Sequence, residues 1–300
     1  MKILVFLKEV QNSALHLEFD GAARKLKEGW NVRCLNPADA SALRLALELK
    51  RLDPGTRISA VHLGPQSGER WLRDGLALGC DEAIRIWDEG LDTLRSAAKA
   101  LVFARMADLL GFDVLLTGRR SQDGANAQVG PLIAAHLRLP CITSVISLGR
   151  GPGNGSIIAL KQLARGFRER IECPLPLIAT AQTHEEAVTS LAPVPALLEA
   201  MEKPVPCFDL ARMGIPRSSL EMVEARLRFG PLRHVRPRLK PIPAPDSALP
   251  AFERIRKLVE GVLKPREGRV IRKDEAALAE EIFRTLLDEG WLDHLRKAPS

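Results

Sequence analysis

The sequence predicts an α/β fold: a parallel, twisted sheet with flanking helices, followed by an extended C-terminal arm that carries further helices. Three observations lead there. Through about residue 204, short apolar runs of strand length alternate with longer stretches whose apolar residues recur at helical spacing. Glycine and proline punctuate nearly every junction between the two kinds. Past Pro204 both patterns lapse, and proline and arginine crowd a stretch of little periodicity. Residues 1–204 are therefore expected to form one α/β domain, and residues 205–300 a basic Pro/Arg-rich arm with C-terminal helices.

Taken in order, Lys2–Lys8 (KILVFLK) is an apolar run between lysines, the pattern of a buried strand. Residues 11–35 mix charge with glycine and are expected as a hairpin or excursion. Asn36-Pro37 opens a helix, because Asn suits the N-cap and Pro the first helical position. Ala40, Leu43, Leu45, Ala46 and Leu49 form its apolar stripe. Arg57–Leu63 is the next strand and ends at Gly64-Pro65. Ser67–Leu78 is helical, with Gly79 as its C-terminal cap. Glu82–Trp87 is a third strand, Leu94–Leu110 a long helix, and Phe112–Thr117 a fourth strand. A polar loop follows, then a helix from about Ala127 carrying Val129, Leu132, Ile133, Ala135 and Leu137. Cys141–Leu148 reads as a strand and residues 149–155 (GRGPGNG) as a glycine-rich turn. Ser156–Leu163 and Gly166–Ile171 read as a hairpin, and Leu175–Ala181 as a last, central strand. Repeated strand–helix units imply right-handed crossovers in a parallel sheet. In the C-terminal part, only Phe252–Leu263 and Asp274–Leu287 show helical stripes.

Composition narrows the class. The chain has 300 residues, 46% of them hydrophobic, enough for a large core. No apolar run reaches the roughly 18 residues a membrane span needs. The opening MKILVFLKEV is too short and too soon charged for a signal peptide. Five cysteines (Cys34, Cys80, Cys141, Cys173, Cys207) stand singly, which fits a reduced, cytoplasmic setting and no metal centre. The six histidines include no pair at ligand spacing, and no nucleophile elbow is visible. No residue is expected to be catalytic. The net charge of +7 calls for phosphate or an acidic partner. Aromatic residues are only 4% and tyrosine is absent, which argues against nucleic acid stacked on aromatic platforms.

The chemistry concentrates at the expected strand ends. In FDVLLTGRRSQDGANAQVGPLIAAHL (residues 112–137), a buried strand breaks at Gly118, passes through Arg119, Arg120, Ser121, Asp123, Gly124 and Asn126, and enters a helix at Ala127-Gln128. Strand, glycine-bearing loop and helix start gather unpaired N–H groups at the positive end of a helix dipole, a site suited to phosphate. The loop matches neither G-x-x-x-x-G-K-[ST] nor G-x-G-x-x-G. Lys8, Asn36 and Leu63-Gly64-Pro65 fall at other strand ends of the same sheet, where ligands of such folds sit. Asn36 can cap its helix, touch a ligand, or do both; Arg119 and Arg120 can be solvated or pair with phosphate or a flavin ring.

GRRSQDGANAQVGPLIAAHLRLPCIT resembles the nucleotide-binding loop and helix of electron-transfer flavoprotein beta subunits, with Gly118, Arg119, Asp123, Gln128 and Gly130 in register. KILVFLKEV, LNPADASALRLALELK, VHLGP, WLRDGLALGCDEAIRI and LPLIATA match the same family in order, over about residues 1–181. Asp123-Gly124 and Gln128-Val129-Gly130-Pro131 are closer to the electron-bifurcating, nitrogen-fixation-associated branch than to the housekeeping branch.

The resemblance implies an adenine-nucleotide-binding, Rossmann-like sheet that works as half of a heterodimer with a flavoprotein alpha subunit. The pair carries electrons through FAD from a dehydrogenase to a membrane quinone reductase or another acceptor. This subunit would hold AMP or a second FAD through Phe6, Asn36, Pro37, Ala38, Asp39, Leu63 and Gly118 to Val129. The dehydrogenase would dock at about residues 182–204. There THEEAVTSLAPVPALLEAMEKP keeps Pro195 in the family's place, has Val194 where the family has leucine, and lacks its Arg-Tyr. The partner is therefore expected to differ from the usual acyl-CoA dehydrogenase or to dock in another way. Residues 205–300 would pack on the partner subunit. The rival reading is a non-redox adenine-nucleotide-binding regulatory or scaffold domain.

Overall fold

The computed structural model describes residues 1–15, 19–20, 25–26, 32–153, 155–184, 192–226, 246–260 and 274–288. Its order begins with β1 (Lys2–Leu7), β2 (Glu9–Gln11), β3 (Phe19–Asp20), β4 (Lys25–Leu26), β5 (Arg33–Leu35) and α1 (Pro37–Leu52). It continues with β6 (Arg57–Leu63), α2 (Glu69–Leu78), β7 (Glu82–Ile86), α3 (Ser96–Leu110), β8 (Val114–Gly118) and α4 (Val129–Leu137). Then come β9 (Cys141–Arg150), β10 (Ser156–Gln162), β11 (Arg168–Pro174), β12 (Leu177–Ala181), α5 (Val194–Glu202), β13 (Cys207–Phe208) and α6 (Arg217–Ala225). The expected hairpin or excursion between the first strand and first helix is seen as antiparallel pairs, β2 with β5 and β3 with β4.

The main sheet has the order β11-β10-β9-β12-β8-β1-β6-β7-β13. From β9 across to β13 neighbouring strands run parallel. The hairpin β10–β11 extends the other edge antiparallel. The last long apolar strand, β12, is central, between β9 and β8.

β1 explains the layering. Successive strand side chains face opposite ways. Ile3, Val5 and Leu7 join α1 residues Ala42, Leu45, Ala46 and Leu49 and α2 residues Leu72 and Leu76 on one face. Leu4 and Phe6 join Val102, Phe103 and Met106 of α3 and Ile133 of α4 on the other. A strand covered on both sides has no polar face, hence the unbroken run ILVFL. Burying a leucine such as Leu45 or Leu49 contributes about 1.5–3 kcal/mol.

The expected arm is corrected in its first part. Residues 205–226 build onto the sheet instead of extending from it. β13 pairs with the edge strand β7, and Leu210, Met213, Ile215 and Leu220 are buried in the same core as α3. Pro204, Pro206 and Pro216 interrupt the periodicity without lifting the apolar residues between them off the core. The compact unit accordingly runs Met1–Phe229 rather than to residue 204. The Pro/Arg-rich residues 231–245 lie outside the described residues.

Gly230–Ser300 form a second unit, with helices α7 (Ala251–Glu260) and α8 (Glu275–Asp288) among its described residues. Phe252, Ile255 and Leu258 of α7 and Ile282, Phe283 and Leu286 of α8 are exposed. No described helix is long and apolar enough to cross a membrane, and no described His/Cys/Asp/Glu group could hold a metal ion.

Candidate functional site

The connection leaving β1 leads to α1 on one face, and that leaving β8 leads to α4 on the other. Adjacent parallel strands whose connections part in this way leave a crevice beyond their carboxyl ends. Here it is a cleft of about 380 Å³, within the range usual for small-molecule sites.

One buried carboxylate joins its walls. Asp39 of α1 accepts the Lys8 N–H at 2.9 Å through one oxygen and the Gly118 N–H at 2.8 Å through the other. It thereby ties the ends of β1 and β8 to the start of α1. Burial pushes its carboxyl up to about 7, against hydrogen bonds from Asn36, Gly118 and Lys8 that favour the charged form. Gly118 is required by this contact: a Cβ there would fall on the Asp39 carboxylate and stand 2.8 Å from the Ala38 carbonyl carbon.

Asn36 is buried and makes no side-chain cap for α1. Its amide instead donates to the Arg120 carbonyl at 3.2 Å, and its side-chain oxygen accepts the Gln122 N–H at 3.2 Å. The expected helix cap is therefore a strap across the β8–α4 loop. Its backbone carbonyl alone serves the helix, accepting from Asp39 and Ala40 at 2.9 and 3.0 Å.

The loop is folded tightly over the cleft. Ala125 and Ala127 have φ of 50° and 53°, the left-handed region that costs an L-residue roughly 1–2 kcal/mol. Gln128 then returns to right-handed helical angles. The Ala125 N–H is donated within the loop, to the Ser121 carbonyl at 3.1 Å. The left-handed Ala127 followed by right-handed Gln128 is the alternation that turns successive N–H groups toward one concavity, an anion-binding nest. No side chain caps α4, whose first bond runs from the Leu132 N–H to the Gln128 carbonyl at 2.9 Å. The N–H groups ahead of it lack helical partners.

The floor is apolar. Phe6 and Phe103 stack with centroids 4.4 Å apart, and Leu63, Leu94 and Val129 extend the wall. The rim is cationic: Lys8, Arg95, Lys99, Arg119 and Arg120 all line it. Asp123 grips the Lys8 ammonium at 2.6 Å with both oxygens. Burial alone would raise the Asp123 carboxyl, but bonds from Lys8, Ser121 and the Gly124 N–H hold it below the ordinary carboxylate range.

Of the residues expected from sequence, Phe6, Lys8, Asn36, Asp39, Leu63, Gly118, Arg119, Arg120, Ser121, Gly124, Asn126, Ala127, Gln128 and Val129 line the cleft. Seven others do not. Gln122 gives its N–H to Asn36 Oδ1 and Ala125 turns the loop, and the remaining five each have a structural task. Pro37 and Ala38 form the first turn of α1, Ala38 backing Gly118. Gly64 leaves room for the buried ring of His62. Asp123 orients Lys8. Gly130 lets α4 close on the sheet, because a Cβ there would meet Thr180 and stand 3.0 Å from Thr117 Oγ1.

Sequence reasoning missed Leu7, Leu94, Arg95, Ser96, Lys99, Phe103 and Thr117, which also line the cleft. Five of them belong to α3 or its approach, which follows β7, and no motif marks that strand's end. A weaker signal was present. Arg95 stands at the N-cap of α3 and Lys99 in its first turn, where acidic residues are the stabilising choice.

Comparison with known proteins identifies the lineage. The family described as "Electron transfer flavoprotein domain" matches residues 25–212. An electron transfer flavoprotein subunit beta of Bacillus subtilis is 33% identical over 190 residues, 62% of this chain and 71% of that one. The caffeyl-CoA reductase-Etf complex subunit CarD of Acetobacterium woodii is 31% identical over 218 residues, 72% of this chain and 80% of its own. Protein FixA of Azorhizobium caulinodans is 31% identical over 185 residues, 60% and 65% of the two chains. With a parallel sheet, a strand-end cleft and these relatives, the chain belongs to the electron transfer flavoprotein family, among its beta subunits.

Proposed function

We propose that this subunit binds an adenine nucleotide, AMP or the AMP half of a second FAD, in the strand-end cleft. Its phosphate would lie against the β8–α4 loop, and the chain would serve electron transfer beside a flavin-carrying alpha subunit. The observation that carries the reading is the uncapped start of α4, preceded by two left-handed alanines and opening into a cationic cleft. Phosphate is the common ligand of such a helix start. The stacked Phe6 and Phe103, with Leu63 and Val129, offer the apolar surface a base needs.

FAD supplies the redox step when bound; this chain's residues bind, orient and exclude water. Asp39, Asn36 and Gly118 hold the loop in one shape before the ligand arrives. That preorganisation lowers the ordering cost of binding. Lys8, fixed by Asp123, and Arg119, which donates to Gln182 Oε1 at 3.1 Å, set the charge of the rim.

The donor would be a dehydrogenase or reductase docking near residues 182–204, of which 185–191 lie outside the described residues. Within that span α5 offers exposed Val194, Leu198 and Met201. Arg73 donates to the carbonyls of Ala200 and Met201 at 2.9 Å and anchors the helix's last turn. One relative's name places it in a caffeyl-CoA reductase complex, which supports an acyl-CoA enzyme as the partner class. The acceptor would be a quinone reductase or another carrier, and the setting cytoplasmic.

Co-expression with the alpha subunit tests the function. A yellow heterodimer whose flavin is reduced by a cognate dehydrogenase is expected. A chain that purifies alone and colourless in the alpha subunit's presence would overturn the proposal.

A further inference from the structure

Lys99, in the first turn of α3, is a half-buried cation on the cleft wall with no carboxylate within ion-pair distance among the described residues. Its ammonium donates to the Asp92 carbonyl at 3.1 Å. The rim's other partly buried cations are matched, Lys8 with Asp123 at 2.6 Å and Arg95 with Glu224 at 3.5 Å. Arg119 and Arg120 are exposed.

The position is costly in a second way. A cation near a helix N-terminus opposes the dipole, and α3 has no acidic residue in its first turn to offset it. Sequences break such local rules chiefly where function requires it. A third observation gives the direction. Asn126 Nδ2 donates to Ser96 Oγ at 3.3 Å, which draws the start of α3 against the loop that opens α4. Two helix N-termini thus border the same cleft as one ammonium that holds a carbonyl but no ion-pair partner among the described residues, and all three favour an anion.

We propose that Lys99 is the counter-cation of the ligand's phosphate, held between the starts of α3 and α4, and that the cleft selects phosphorylated adenosine over adenosine. This rests on the reading that the cleft holds an adenine nucleotide. The charged groups that act on Lys99 are Lys8, Asp123, Asp92 and Glu224, and Arg95 shares its cleft wall. Burial, then Lys8, pushes its ammonium below the ordinary lysine range, with the three carboxylates opposing. A bound phosphate stabilises the charged form and reverses that shift.

The test uses the heterodimer freed of nucleotide and titrated calorimetrically with AMP and with adenosine, as wild type, Lys99→Gln and Lys99→Arg. Loss of a charge-assisted bond should weaken AMP about 10- to 100-fold in Lys99→Gln. Adenosine affinity should stay within about twofold of wild type, and Lys99→Arg should recover most of the AMP affinity. Wild-type AMP affinity should also fall as pH rises through the lysine's titration, a fall absent from Lys99→Gln. Equal AMP affinity in wild type and Lys99→Gln overturns the role of Lys99 while leaving the site standing. Equal affinity of wild type for AMP and adenosine overturns it without any variant. Failure of wild type to bind AMP, adenosine or, titrated in the same way, FAD overturns the nucleotide reading itself.

Discussion

Asp39 concentrates the residue-scale consequences. Its carboxyl, raised from an ordinary 3.8 to about 7, keeps a proton in the folded chain after the unfolded chain has released one. Between those values the folded state binds more protons, so this group lowers stability as pH rises through the window, by at most about 1.4 kcal/mol per pH unit. Asp39→Asn should flatten that part of the pH–stability profile. It should also destabilise the fold by about 1–3 kcal/mol, because an amide turns a second donor toward Lys8 or Gly118 N–H. Urea unfolding at several pH values checks both; an unchanged slope would contradict the assignment. Two glycines offer a paired test of packing. Gly130→Ala drives a methyl into Thr180 and Thr117 and should lose about 1–3 kcal/mol. Gly149→Ala meets nothing within 4 Å and should change stability by less than about 0.5 kcal/mol. Similar unfolding midpoints for the two variants would contradict the packing of α4 on the sheet.

At the scale of elements, the β8–α4 loop depends on a side chain from another element. Asn36→Ala removes its bonds to Arg120 and Gln122 while leaving the backbone start of α1 intact. AMP affinity should fall by roughly tenfold, the worth of about one or two net hydrogen bonds, with little change in helix content. A full loss of fold, or no loss of affinity, would each count against the strap. The same residue shows what sequence could convey. Asn before Pro marks where a helix begins, and the helix does begin there. Nothing local tells that the amide reaches 84 residues along the chain to the Arg120 carbonyl. β1, α1, α2 and the β8–α4 unit were legible because their periodicity reports burial directly. The α3 wall was not, because Phe103 and Lys99 reach the cleft only once β7 is placed next to β6 and β13. β13 and α6 were obscured by Pro204, Pro206 and Pro216, which break the pattern around the buried Leu210, Met213, Ile215 and Leu220.

For the whole molecule, the boundary after Phe229 has a direct consequence. A chain ended there should keep the sheet and the cleft and still bind AMP. A chain ended at Pro204 loses β13 and α6, uncovers the β7 edge and the α3 flank, and should unfold at markedly lower urea. Equal midpoints for the two truncations would contradict the extended unit. The exposed apolar faces of α7 and α8 fit the proposal that the C-terminal part packs on the partner subunit. Assembly with the alpha subunit should therefore weaken in the chain ended after Phe229, as measured by co-purification. The central claim is that this subunit holds an adenine nucleotide of its own at its strand ends. Denaturing the purified heterodimer and quantifying every released nucleotide tests it most directly. The expected result is one equivalent of AMP or FAD per copy of this chain, in addition to the FAD of the alpha subunit. Release of the alpha subunit's FAD alone would contradict it.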